Sequence, residues 1–154
     1  MRYLLLIIIL ISIPINLLSM KFIVCYLDPI NLNPVLKTVE LNGDNLILKL
    51  FDALASPPSD LISFVPQKVL RAYFIVDDAM ILDLDGKKLK NMDFLSERYF
   101  VHTVLYTVFN NMKAVNVVYF TIDGRRKRVL VKYVDIRFGF PRRIWEEWPI
   151  KKMK

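Results

Sequence analysis

The chain is short of the residues that most chemistry requires. One cysteine, Cys25, and one histidine, His102, occur in 154 residues, so no internal disulfide can form and no Cys/His set is available for zinc. The four glycines are not clustered, which excludes a glycine-rich phosphate cradle. His102 has no serine, cysteine or carboxylate at a matching spacing, so no nucleophile and base can be paired from the sequence. We therefore expect no enzyme, assign no catalytic residue and expect no cofactor or metal. His102 reads as a surface or boundary residue beside the apolar face of a helix. Acidic side chains are also outnumbered, 15 against 22 Lys and Arg, for a net charge of +7. That excess favours acidic partners by long-range attraction.

Apolar residues make up 55% of the chain, more than an ordinary soluble domain needs, and the surplus sits at the N-terminus. Residues 1–20, MRYLLLIIILISIPINLLSM, carry one early charge, Arg2, and then an apolar run broken only by Ser12, Pro14 and Asn16. A secretory core is ~7–15 residues long and a spanning helix about 20; this run lies between them. It is a signal peptide or a membrane anchor. Leu17 is large where a cleavage site prefers a small residue, which favours an uncleaved anchor. A core helix would need a polar face, and the run has almost none before Ser12. Val24 stands where a lipobox would place a small residue, so KFIVCYL, residues 21–27, reads as the first strand, with Cys25 packed as a small hydrophobe.

Three units follow: the leader at 1–20, a domain at 21–140 and a basic, Trp-containing tail at 141–154. Within the domain, Ile47, Leu50, Phe51 and Leu54 recur at helical spacing, with Asp44 or Asn45 as cap and Pro57-Pro58 as stop. Residues 69–85 read as a hairpin about Asp77-Asp78. The set Asp77, Asp78, Asp83 and Asp85 lacks the glycine and closing glutamate of a calcium loop, so these acids read as solvated turn and strand ends. Residues 92–112 form the strongest helix, capped by Asp93, with Val101, Val104, Leu105, Val108 and Met112 on one face. The stretch from Val115 to Phe138 reads as a long antiparallel hairpin turning at Asp123-Gly124. Arg125, Arg126, Lys127 and Arg128 leave that turn, where charge is easily hydrated and blunts edge-to-edge pairing.

The order of KFIVCYLDP, LFDALASPPSDLISFVP, VLRAYFIVDDAMILDLD, FVHTVLYTVFNNM and AVNVVYFTIDGR resembles the GerMN domain of bacterial sporulation, germination and other exported envelope proteins. Leu61 and Pro66 match its loop, and Phe120, Ile122, Asp123 and Gly124 its strand end. Ser56-Pro57 replaces a usual Gly-Pro, Gln67-Lys68 a Gly-Thr, Tyr106-Thr107-Val108 an Asn-Thr-Leu, and Lys113-Ala114 a Pro-Gly. The resemblance implies an α+β domain, a small sheet with two helices on one face, similar to ring-building modules and without catalytic residues to carry over. Here an N-terminal apolar leader helix would precede that domain.

The expected role is a non-enzymatic protein-interaction or assembly domain outside the cytoplasmic membrane, anchored to the inner membrane or secreted to the periplasm. Its expected partners are other envelope proteins, a homo-oligomer, and the membrane through the N-terminal segment. The alternative is contact with a polyanion or an anionic lipid surface through Arg125, Arg126, Lys127, Arg128, Lys132, Arg142 and Arg143, with Trp145 and Trp148 nearby. Nucleic acid is not an expected partner: Tyr119, Phe120 and Tyr133 flank the basic run as stacking platforms would, but alternation along a strand sends half of such residues into the core.

Overall fold

The computed structural model describes residues 19–145; the leader lies outside them. Six strands and four helices follow the order β1 (Met20–Leu27), β2 (Pro34–Leu41), α1 (Leu46–Leu54), β3 (Leu70–Val76), β4 (Ala79–Leu84), α2 (Gly86–Leu89), α3 (Phe94–Asn111), β5 (Val117–Ile122), β6 (Phe140–Pro141) and α4 (Arg142–Trp145). The α+β class holds. Among the described residues the strands divide into two sheets where the family resemblance implied one: an antiparallel β1–β2 pair and a four-stranded sheet ordered β3-β4-β5-β6.

α3 is the hub. Its residues are buried on nearly every side, from Glu97 and Phe100 through His102 and Val104 to Phe109, so it lacks the single apolar stripe of a surface helix. Met80, Leu82 and Leu84 of β4 and Val118, Phe120 and Ile122 of β5 meet it in one core, together with Val24 and Tyr26. β4 and β5 run parallel, and parallel neighbours need a crossover. α2 and α3 supply it.

β1 lies along α3, which satisfies part of its main chain with side chains. The Ile23 amide donates to Asn111 Oδ1 at 2.8 Å, Asn111 Nδ2 donates back to the Ile23 carbonyl at 2.7 Å, and the Cys25 amide donates to Thr107 Oγ1 at 3.1 Å. Cys25 is fully buried within this strand, and burial pushes its thiol up to about 12, so it packs as an inert apolar group. β1 therefore enters the domain at the C-terminal end of α3.

Asp93 caps α3 as the sequence predicts, and Ser96 completes a reciprocal capping box. Asn45 is the N-cap of α1 but lies in the left-handed region and makes no side-chain capping bond; buried Leu50, Phe51 and Leu54 hold that helix instead. Ile47 is only half-buried. β2, in which only Thr38 to Leu41 alternates in polarity, is an element the sequence reading passed over.

Candidate functional site

The basic run leaves a turn fixed from several sides. Asp123 and Gly124 both have positive φ, 53° and 72°, the geometry of a hairpin turn of the primed kind, and Ile122 and Arg125 exchange main-chain bonds at 2.9 and 3.0 Å. Asp83 accepts from Thr121 Oγ1 at 2.8 Å and from the Gly124 amide at 2.7 Å. Arg71 Nη1 lies 3.6 Å from Asp83 and 3.2 Å from Asp123. Asp83 is thus a buried, bonded anchor of the turn and not the solvated strand-end acid expected. Its neighbour Asp85 caps α2 through the Lys87 amide at 2.8 Å, while Asp77 and Asp78 are exposed.

Beyond the turn the predicted long hairpin does not form. A buried carboxylate takes the amides a second strand would have used. Glu97, with no solvent exposure, accepts from the amides of Val131 at 3.0 Å, Lys132 at 3.1 Å, Tyr133 at 3.2 Å and Val134 at 2.9 Å. Residues 128–136 become a strap closed by Ile136 amide to Arg128 carbonyl at 3.0 Å and Leu130 amide to Val134 carbonyl at 2.9 Å. The place beside β5 goes to β6, paired Val117 to Pro141 and Val118 to Phe140. At the strap's end, Arg137 Nε donates to Asp135 at 3.0 Å, and that bonding holds the Asp135 carboxyl down at about 2.

Arg125, Arg126, Lys127, Arg128, Lys132 and Arg143 are all exposed. Arg142 is turned inward. Its guanidinium donates to the carbonyls of Phe109 at 2.8 Å, Met112 at 2.6 Å and Val115 at 2.9 Å and lies 4.9 Å from the centre of the Phe109 ring. It closes the C-terminal end of α3 and separates from the surface cluster. Trp145 packs edge-on against His102 and Phe140, with centroids 4.6 and 5.3 Å apart; Trp148 lies outside the described residues.

His102 is not a surface residue. It is 7% exposed, and burial, aided by the Arg98 charge, lowers its pKa to about 4. Among the described residues no group of three acidic, His or Cys side chains could hold a metal ion, and no helix is long and apolar enough to cross a membrane.

The other surface of interest is the side of the four-stranded sheet turned away from α3. Register sets Phe74 beside Ile81 and Ile81 beside Tyr119, and Val76 beside Ala79 and Val117. These residues share one face, because side chains alternate along a strand. Near Tyr119 a cleft of about 360 Å³ opens between Ile81, Tyr119, Phe120, Thr121, Arg126 and Ile136. β3 is an outer strand of this sheet, and Phe74, Ile75 and Val76 are 57%, 53% and 57% exposed. The sequence reading did not single them out. The available signal was three large apolar residues in succession at a strand end, which cannot all face one core.

Comparison with solved structures bears directly on this architecture. The first GerMN domain of the sporulation protein GerM from Bacillus subtilis superimposes with a TM-score of 0.65 at 16% identity, over 80% of this chain and 98% of that one. The fold is GerMN-like. The tandem GerMN domains of the same protein give 0.69 at 16% identity over 82% of this chain; this GerMN-like chain covers 47% of them, about half their length. A Clostridium perfringens protein described as a lipoprotein gives 0.55 at 18% identity over 86% of this chain and 94% of that one. No protein-family model and no curated protein matches the sequence.

Proposed function

We propose that this GerMN-like chain is a non-enzymatic protein-interaction domain of the cell envelope, exported or anchored by residues 1–20, which binds a partner protein along β3. The observation that carries the reading is the outer strand itself. Phe74, Ile75 and Val76 are exposed together on a strand with no neighbour on its far side among the described residues. Proteins ordinarily blunt such edges with charge, proline or a bulge; here the bulge and Arg71 lie at the other end of the strand. An exposed edge offers main-chain bonds to an added strand and pockets to its alternate side chains. The apolar leader and the similarity to a sporulation protein and to a protein described as a lipoprotein support the envelope address. The test is a photo-cross-linking residue at Ile75 in living cells, with Lys37 as the control position. A recurrent protein adduct from Ile75 alone is expected; none above the control would refute the reading.

A second reading, contact with an anionic surface, is favoured by the exposure of Arg125 to Arg128. The fold adds a constraint. β1 begins at the C-terminal end of α3, whereas Glu97 holds the strap that follows the basic run at its N-terminal end. The helix has 18 residues and is about 27 Å long. An anchor preceding β1 would therefore hold the basic run away from its own bilayer, facing a different anionic surface. Neutralising all four residues should abolish binding of the chain to anionic vesicles; unchanged binding would remove this reading.

A further inference from the structure

We infer that the partner at the β3 edge is a second copy of this chain, paired antiparallel about Phe74. This inference rests on the protein-interaction reading above and names the partner that reading leaves open.

Main-chain bonds fix which groups of β3 face the open side. The Asp78 carbonyl accepts from the Asn116 amide at 2.7 Å and the Leu84 carbonyl from the Asp123 amide at 2.9 Å, so Asp78, Met80, Leu82 and Leu84 turn their main chain toward β5. By alternation Ala79 and Ile81 turn theirs toward β3. Their partners Val76 and Phe74 are thereby spent on β4, which leaves the amides and carbonyls of Tyr73 and Ile75 pointing outward from the sheet. The straight stretch that carries them is short. A bulge interrupts the register between Leu70 and Ala72, and Asp77, at φ 54°, has left the extended region at the other end.

Within that stretch a single antiparallel self-pairing uses every outward group. With the two-fold axis at Phe74, Tyr73 of each copy faces Ile75 of the other, and both pairs exchange both of their main-chain bonds. An axis at Tyr73 sets Ile75 against the bulge, and an axis at Ile75 sets Tyr73 against the turn at Asp77; either forfeits half of the bonds. The axis at Phe74 also places the two Phe74 rings opposite each other at a non-hydrogen-bonded site, where side chains approach most closely, and sets Val76 opposite the smaller Ala72.

Charge selects a second copy over an unlike strand. Lys68 and Arg71 are exposed at the start of β3, and Asp77 and Asp78 are exposed at its end. An antiparallel copy inverts that order, so each basic start lies alongside an acidic turn, once at either end of the contact. Arg71 gives Nη1 to Asp83 and Asp123 and keeps its side chain 46% exposed, while among the described residues no ion pair holds Asp77 or Asp78. The contact uses the same patch on both copies, so it closes at two and joins the two four-stranded sheets across edges that would otherwise stay open.

The experiment introduces Tyr73→Cys, Phe74→Cys or Ile75→Cys singly into the full chain in cells, with mild copper-phenanthroline oxidation and non-reducing electrophoresis. Cys25 is fully buried, so the unaltered chain is the blank. Phe74→Cys should form a disulfide-linked dimer about tenfold faster than the other two, because position 74 meets itself across the axis near the Cβ separation of about 4 Å that a disulfide needs. Positions 73 and 75 stand two residues, about 7 Å, out of line with themselves. Adding Asp77→Asn to Phe74→Cys should slow the linkage about threefold, the scale of exposed ion pairs. Preferred linkage at position 73 or 75, equal linkage at all three, linkage at none, or no response to Asp77→Asn would overturn the proposal. If position 74 fails to link while the cross-linker at Ile75 still captures an unlike protein, the second copy falls and the edge-binding reading stands; loss of both removes both.

Discussion

At Glu97 one carboxylate replaces a strand. Four amides converge on two oxygens in a site closed to water, where a hydrogen bond to a charged acceptor contributes about 1.5–3 kcal/mol and an unmatched donor costs as much. Glu97→Gln keeps the shape but turns an amide NH2 toward other donors. We expect a loss of about 3 kcal/mol, read by urea denaturation, with the amides of residues 131–134 losing hydrogen-exchange protection before the rest of the domain. Equal protection in both proteins would show that the strap holds without the carboxylate. His102 predicts a pH effect of definite sign. Its folded pKa of about 4 lies below the ordinary value of about 6.5, so the unfolded chain binds the extra proton first. The stability tied to neutral His102 is complete above about pH 6.5 and is lost progressively as pH falls toward 4, to a total of at most about 3 kcal/mol. His102→Gln should flatten that part of the stability profile, measured by thermal melts from pH 7 to 4.

Elements divide into those the chain announces locally and those settled by distant residues. The hairpin at Asp77-Asp78, the capped α3 and the first strand around Cys25 were legible because period, cap and turn residues agree within a few positions. The segment after Gly124 misled. Residues 129–134 are rich in β-branched and aromatic side chains as a strand should be, yet the competitor for the amides of 131–134 lies more than thirty residues upstream on α3, and no local pattern reports it. Arg142 misled likewise: in sequence it belongs to a basic tail, and only the fold brings it onto three carbonyls at the end of α3. The candidate site was half legible. Arg125 to Arg128 were visible as charge, whereas the cleft that Arg126 overlooks needs β4 and β5 to pair in parallel. Because the three carbonyls demand a planar fork of donors, Arg142→Lys should recover little. We expect Arg142→Ala and Arg142→Lys to cost about 1–3 kcal/mol, with fraying of residues 108–112 by hydrogen exchange. Full retention of protection in the lysine variant would contradict this.

For the whole molecule, the two surfaces stand apart from the core that holds the fold. Phe74, Ile75 and Val76 contribute exposed area while Met80, Leu82 and Leu84 beside them are fully buried, so binding and stability should separate. Ile75→Lys places charge on the open edge and should change stability by no more than about 0.5 kcal/mol, while abolishing adducts from a cross-linker moved to Phe74. A collapse in stability would assign this strand to folding instead. The strap at Glu97 and the entry of β1 at Asn111 lie at opposite ends of α3, about one helix length apart.

The strap described above is held by its main chain, through a single acid on a helix; at its crest Tyr133 packs edge-on against Phe94, with centroids 5.5 Å apart, while Lys132 is exposed. The identity of Lys132 is therefore almost exempt from folding duty. Randomising that position should yield mostly well-folded variants, so it can diverge between lineages, or be diversified in the laboratory, without rebuilding the scaffold beneath it.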